Sequence, residues 1–397
     1  MSEPLRELAN IEYGASPKEI RVGVKTEIKI FGTGGLMGYS CKPLFEQPLV
    51  VVARKGTLDR PIYSDQPCWV IDTAFAVIPK KNVNAKWLFY QLSNYDLKRL
   101  NEATGVPSIS RDFLYRIKFK RPTLQAQRKI AHILSNVDVV IEKTQAAIAK
   151  YKAIKQGMLH DLFTRGIDPA TNKLRPVYID APHLYKESKL GWIPNEWVEV
   201  SLAFFTTQIG DGIHTTPKYS ENTDYYFVNG NNLSEGEILI GDTALCVSKE
   251  EYEKHFIGLD KKTILYSING TIGNIAFYKD EKIILGKSAC YITCKNNVNL
   301  DFIYFFLQSF RVKKYYENEL TGSTIKNLSL ASIRNTPITI PKDDGEQEFI
   351  ANRIRAIDRK LQTEQIYLHK MQQIKAGLMA DLLSGKKEVR VEAESIN

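Results

Sequence analysis

The sequence predicts an α+β protein made of two tandem α/β domains, each followed by a long helix. Three observations carry that prediction. The 397-residue chain aligns with itself at an offset of 220, where residues 127–164 face 347–384 without a gap. Of those 38 positions 11 are identical, among them Ala131/Ala351, Asp138/Asp358 and Lys155/Lys375. Upstream of each repeated stretch, short β-rich runs alternate with Gly, Asn and Asp turns. A period of about 200 residues is far beyond the 20–50 of solenoids and propellers, so a whole module is duplicated.

The first domain (1–120) holds strand-like runs at 49–53 and 69–78 and a helical segment at 85–100. The second (196–341) holds strand-like runs at 263–268, 282–285 and 289–293 and a helical segment at 300–319. Weaker matches link them: KGTL (55–58) faces NGTI (269–272), and Asn82-Val83-Asn84 faces Asn297-Val298-Asn299. Thr104-Gly105 and Ser108-Ile109 face Thr321-Gly322 and Thr324-Ile325.

Long helices are expected over 121–164 and 342–385, with Asp344 and Gln347 as a capping pair for the second. An a/d-like seam runs through Ile130, Leu134, Val137, Ile141, Thr144, Ile148, Tyr151, Lys155, Met158 and Leu162. Its counterpart runs through Ile350, Ile354, Ile357, Leu361, Glu364, Leu368, Met371, Lys375, Leu378 and Leu382. Thr144 and Glu364 interrupt the seams and are read as solvated positions ahead of register or partner contacts. Gly157 and Gly377 sit inside helices, where Gly costs about 1 kcal/mol against Ala. Their repetition suggests close backbone approach, where helices or a partner cross. A helix of this length rises nearly ~60 Å. Residues 165–195, with four prolines, read as a linker, and 386–397 as a polar tail.

Charge points to a polyanion partner. The chain carries 54 Lys+Arg against 45 Asp+Glu, a net +9. The excess is lopsided: residues 1–170 carry +10 and residues 171–397 carry −1. With 43% hydrophobic and 25% charged residues the composition is globular rather than disordered. No run approaches the ~18 apolar residues of a membrane span, and the N-terminal segment MSEPLRELANIEYG lacks the apolar core of a secretory signal. A cytoplasmic location without a membrane partner is expected. The five cysteines form no CxxC pair, and Cys290 and Cys294 lie in an apolar run, as buried thiols rather than metal ligands.

Catalytic motifs are missing. Gly286-Lys287-Ser288 lacks the first Gly of a phosphate loop, and Gly32-Thr33-Gly34-Gly35 lacks the third spaced Gly of a dinucleotide loop. There is no HExxH, no GxSxG, no EF-hand loop and no Asn-Pro-Pro-aromatic tetrapeptide. No catalytic residue and no metal site is assigned. What is present is a set of polar turns suited to phosphates and base edges. They are Asp211 to Tyr219 with His214, Thr215, Thr216, Lys218 and Tyr219, and Asn229 to Asn232 with Asn229 and Asn231. In the first domain Arg54, Lys55 and Thr57, then Ser108 and Arg111, are analogous. Such clusters also make ordinary turns, so composition leaves both readings open for each.

The ordered pieces resemble the specificity (S) subunit of type I restriction-modification systems. In the second domain they are GWIPNEW (191–197), DGIHTTPKY (211–219), NGTIGNIAF (269–277), TGSTIKNLSLASI (321–333), EQEFIANRI (346–354) and GLMADLLSGK (377–386). In the first they are KGTLDRPIY (55–63), IDTAFAVIP (71–79), ATGVPSISRDFL (103–114) and GMLHDLFTRGID (157–168). The resemblance implies two target recognition domains whose long helices pack as an antiparallel coiled coil. Each domain would read half of a bipartite site in double-stranded DNA. Two modification (M) subunits would bind the helices and use S-adenosylmethionine to methylate adenine N6. Restriction (R) subunits would add ATP- and Mg-dependent cleavage. This chain would bind none of those cofactors and catalyse nothing.

The resemblance places His214 to Tyr219 at the DNA face, with the turns at Thr57 and Thr271 and the loops carrying Ser108, Arg111, Thr324 and Lys326. Near its start the first domain has only Tyr13-Gly14-Ala15-Ser16-Pro17-Lys18 against the fuller HTTPKY, so Arg54 and Lys55 are its leading contacts. Leu134, Ile141, Ile148, Gly157, Ile354, Leu361, Leu368 and Gly377 form the helix seam and partner-binding set. The competing readings are a self-contained DNA methyltransferase/endonuclease and a coiled-coil scaffold that binds only proteins.

Overall fold

The computed structural model describes residues 2–241, 244–322 and 326–390. The chain divides into two compact units, Met1–Ala147 with Glu364–Asn397, and Ile148–Thr363.

In the first unit Ala9–Tyr13, Ala74–Pro79, Leu49–Ala53 and Ile62–Ser64 lie side by side in that order, all antiparallel. All five residues of Leu49–Ala53 are buried, so the strand reads as a continuous apolar run instead of alternating. A second sheet orders Arg21–Val22, Gly35–Ser40, Lys29–Gly32 and Cys68–Val70, its last pair parallel. The run expected at 69–78 is therefore two strands in two sheets. Ile71, Asp72 and Thr73 turn the chain between them, and the Ala74 N–H donates to the Ile71 carbonyl (3.0 Å).

The second unit repeats both sheets. Thr206–Asp211, Ala289–Cys294, Thr263–Ser267 and Ile275–Phe277 form one. Tyr219–Ser220, Cys246–Val247, Tyr226–Val228 and Ile283–Leu285 form the other, again with the last pair parallel. The repeated Asn-Val-Asn has a local purpose. Asn84 and Asn299 cap the helices Ala85–Asn94 and Leu300–Leu307, accepting from Trp87 N–H (2.9 Å) and Phe302 N–H (3.0 Å). The helical segment expected at 300–319 breaks at Ser309, which caps a second piece, Phe310–Glu319. The one at 85–100 ends in a short 3₁₀ turn, Leu97–Leu100.

The long helices are Leu124–Thr164 and Asp344–Leu383. None of the twenty seam positions is exposed. In the first unit Ile130, Ala131 and Leu134 share a core with Leu378, Leu382 and Leu383, and Lys375 pairs with Asp138 (2.6 Å). In the second, Leu159, Leu162 and Phe163 share a core with Ile350, Ala351 and Ile354, and Lys155 pairs with Asp358 (2.5 Å). In each unit early residues of one helix meet late residues of the other, which is antiparallel packing. Phe163 stands edge-on to Phe302 and Phe306 (5.2 and 5.1 Å), and such pairs add about 0.5–1.5 kcal/mol each beyond area burial.

Three expectations change. Thr144 is not solvated: it is 5% exposed, and its hydroxyl donates to the Val140 carbonyl within the helix (2.8 Å). The other seam interruption, Glu364, is half-buried. The second helix is capped by Asp343, not Asp344, because the Asp343 carboxylate accepts from the Gly345 and Glu346 N–H groups (3.2 and 3.1 Å). Finally, residues 165–195 fold onto the second unit instead of hanging free. Ile167–Asp168 pairs with Lys173–Leu174, and Tyr185–Lys186 with Ile193–Pro194. Arg175 reaches into the core and forks onto Glu346 (2.6 and 3.0 Å), which also accepts from the Trp197 indole (3.2 Å) and the Ile167 N–H (2.8 Å). Four donors satisfy one buried carboxylate, the condition under which a buried charge is tolerated.

Candidate nucleic-acid interface

Each unit builds the same backbone scaffold from three short pieces, and glycine is required in two of them. At the end of Ala9–Tyr13 the chain passes so close to the neighbouring sheet that a Cβ on Gly14 would stand 2.1 Å from the Ile71 oxygen. At the end of Thr206–Asp211 a Cβ on Gly212 would stand 1.9 Å from the Leu285 oxygen. The next residue locks the approach in both units, Ala15 N–H donating to Val70 O (2.9 Å) and Ile213 N–H to Leu285 O (2.7 Å). Tyr13-Gly14 is thus the counterpart of Asp211-Gly212.

The second piece is the Gly-Thr turn. Gly56 (φ 93°) and Gly270 (φ 73°) take left-handed conformations that L side chains rarely adopt. The third is the loop before a short helix. Gly56 N–H donates to Pro107 O (2.8 Å) and Ile109 N–H to Arg54 O (2.9 Å). Gly270 N–H donates to Lys326 O (3.1 Å) and Leu328 N–H to Ile268 O (2.8 Å). Ser110 and Ser329 then cap the helices Arg111–Arg116 and Leu330–Arg334. These bonds equate Ser108, Ile109 and Ser110 with Asn327, Leu328 and Ser329. The pairing of Ser108-Ile109 with Thr324-Ile325 is corrected accordingly: from the Thr-Gly pair to this position the second loop is longer, so the match of Ser-Ile with Thr-Ile by residue type falls short of the true equivalent. Thr324 lies outside the described residues.

In the first unit this scaffold gathers the expected residues. Lys55 and Ser108 face each other in an antiparallel bridge. Arg54 and Arg111, from different pieces, both lie over the Tyr13 ring, at 5.6 and 5.3 Å from its centroid. Lys55, Thr57 and Arg111 are exposed. Tyr13 is the residue that sequence reasoning left without a role; its only signal was its place at the start of the shortened counterpart of HTTPKY.

In the second unit His214, Thr215, Thr216, Lys218, Tyr219, Asn231, Thr271 and Lys326 are all exposed. The His214 ring is tied to Asp211 (2.9 Å), and the Lys218 N–H to the Glu251 carboxylate (3.4 Å). Asn229 is occupied internally. Its carboxamide oxygen accepts from the Ser288 hydroxyl (3.0 Å), and its N–H donates to Asn232 (2.9 Å). Seam residues Leu134, Ile354 and Leu361 are buried, while Ile141, Ile148 and Leu368 are half-buried. A Cβ on Gly157 or Gly377 would meet nothing within 4 Å, so no close approach within the chain explains either glycine.

Cys290 and Cys294 are buried, and burial pushes both thiols up, Cys294 to about 12. No group of three or more His, Cys, Asp or Glu converges as a metal site among the described residues.

Two glycine-gated loop platforms on duplicated sheets define a tandem recognition protein. The family described as Type I restriction modification DNA specificity domain matches residues 2–150 and 194–374, and the chain belongs to it. The chain is similar to two specificity subunits of type I restriction enzymes from Methanocaldococcus jannaschii. It is 24% identical to MjaVIII over 340 residues (81% of this chain, 75% of that one). It is 24% identical to MjaIX over 336 residues (80% and 72%). Its fold is similar to that of a type I restriction-modification S subunit from M. genitalium, with a TM-score of 0.65, 17% identity and 96% of each chain covered.

Proposed function

We propose that this chain is the DNA-reading subunit of a type I restriction-modification complex, each unit reading one half of a bipartite duplex site. The observation that carries the reading is the platform itself. The same three backbone pieces recur on the same strands in both units, yet the side chains they present differ: Arg54, Lys55 and Arg111 in one, His214, Thr215 and Lys218 in the other. A fixed frame with exchanged side chains is what reading two different half-sites requires.

The chain then selects and aligns while partners carry the chemistry. Modification subunits docked on the long helices would supply S-adenosylmethionine and the pocket for an unstacked adenine, methylated at N6. Restriction subunits would supply ATP- and Mg-dependent cleavage. A cytoplasmic location suits that role, and no helix among the described residues is long and apolar enough to cross a membrane.

The test exchanges residues 1–120 for the corresponding domain of a relative and maps methylated bases across the DNA of cells carrying either chain. One half-site should change and the other persist. A change in both halves, or methylation that does not depend on the chain, would defeat the reading.

A further inference from the structure

We propose that Tyr13, Arg54 and Arg111 form a two-guanidinium clamp for a backbone phosphate of duplex DNA, with Tyr13 as the positioning residue. The proposal rests on the DNA-reading function above and names a contact within the first unit. Tyr13 is 49% exposed at the end of its strand, and its outward ring is backed by Phe75 (5.2 Å between centroids). Arg54 arrives from the end of Leu49–Ala53, and Arg111 opens the helix capped by Ser110. Both guanidiniums lie within 5.6 Å of the one ring centroid. Among the described residues no carboxylate lies within ion-pair distance of either one, nor of the adjacent Lys55.

Holding like charges together without a counter-ion is unfavourable unless something offsets it. A ring face offsets part, by attracting a cation to its negative quadrupole. The remainder is left for an incoming anion. Packing against a ring also removes rotamer freedom before binding, so less entropy is lost when the planar fork meets a phosphate. The second unit shows that the frame does not need this arrangement. At the positions equivalent to Tyr13, Arg54, Lys55 and Arg111 it has Asp211, Ile268, Asn269 and Leu330. The cationic cluster is therefore a property of one reader, not of the fold.

A phosphate is favoured over a base edge because two guanidiniums with no carboxylate partner among the described residues share the one Tyr13 ring, a concentration of positive charge that suits an anion. Phosphate contacts are sequence-independent, so the test does not need the target site. Anisotropy of a fluorescein-labelled duplex of random sequence is measured with the full chain across a salt series. Each neutralised phosphate contributes about 0.9 to the slope of log K against log salt. Arg54→Ala and Arg111→Ala should each flatten the slope in part, and the double variant by about 0.9, the share of the one clamped phosphate. Tyr13→Ala should flatten it as well, while Tyr13→Phe, which keeps the ring, restores most of the loss. Lys in place of either Arg should keep most of the slope.

Thermal unfolding of each variant separates a lost contact from a lost fold. An unchanged slope in the double variant overturns the clamp. So does a Tyr13→Phe variant as defective as Tyr13→Ala. A parent chain that binds no duplex DNA fails the wider reading instead, which keeps the two outcomes distinct.

Discussion

The two units share every strand pairing of their main sheets and differ most where side chains leave the frame. At the end of the first strand of that sheet the first unit has an aromatic ring carrying two arginines, and the second an aspartate holding a histidine (2.9 Å). The difference teaches that duplication preserved what the backbone must do and released what the surface must read. It also accounts for part of the charge asymmetry. Three cations of the first platform are replaced by two apolar residues and an asparagine in the second.

The largest test of that comparison lies at a place where the units differ inside. Arg175 and Glu346 form a buried pair in the second unit, while the position matching Glu346 in the first is Ala126. Arg175→Ala should cost about 3–5 kcal/mol, because it leaves an uncompensated buried carboxylate. Urea unfolding should show the loss, and a cost under about 1 kcal/mol would mean that water reaches Glu346.

A smaller contrast concerns the repeated ion pairs. Lys155 and Asp358 are 12% and 14% exposed, Lys375 and Asp138 30% and 26%. Lys155→Ala should therefore destabilise more than Lys375→Ala, by about 2 kcal/mol against about 1. Equal costs would show that burial does not set their strength. The charge swap Lys155→Asp with Asp358→Lys should recover most of the first loss.

Gly157→Ala and Gly377→Ala should each stabilise the free chain by up to about 1 kcal/mol, since neither Cβ meets an obstacle. If the modification subunit docks over them, the same changes weaken assembly. Stability gained with assembly untouched would remove the glycines from the docking surface.

The smallest effect is the pH dependence contributed by one thiol of the second unit. The folded Cys294 thiol keeps its proton up to about 12, whereas its ordinary value is 9.0. Above pH 9 the unfolded chain therefore binds fewer protons than the folded one, so stability falls as pH rises through that range. Cys294→Ala should make the fall shallower in a pH series of urea midpoints. A fall of undiminished steepness would assign it to other groups.

Much of this architecture is legible in the one-dimensional pattern. The seam repeats because a helix face recurs every three or four residues, and no interruption from Thr144 or Glu364 hides it. The strand at Leu49–Ala53 is legible because burial on both faces leaves only apolar residues. The site was legible as a list and not as a place. Arg54 and Arg111 were selected for their chemistry, but 57 residues separate them in sequence, and only the strand pairing puts both on Tyr13. Asn229 carries a base-reading side chain that the fold spends on Ser288, which no composition argument could foresee. The loop register failed for the same reason: its hydrogen bonds, not its letters, define equivalence.

By itself the sequence determined the duplication, the long helices and the kinds of side chain available at the loops. These follow from local periodicity and from identity at a fixed offset. Tertiary structure alone decided which residues share a surface, which polar groups are already satisfied, and that the proline-rich stretch is a folded part of the second unit. Those outcomes depend on contacts between segments far apart in the chain, where packing and hydrogen-bond satisfaction outweigh local preference.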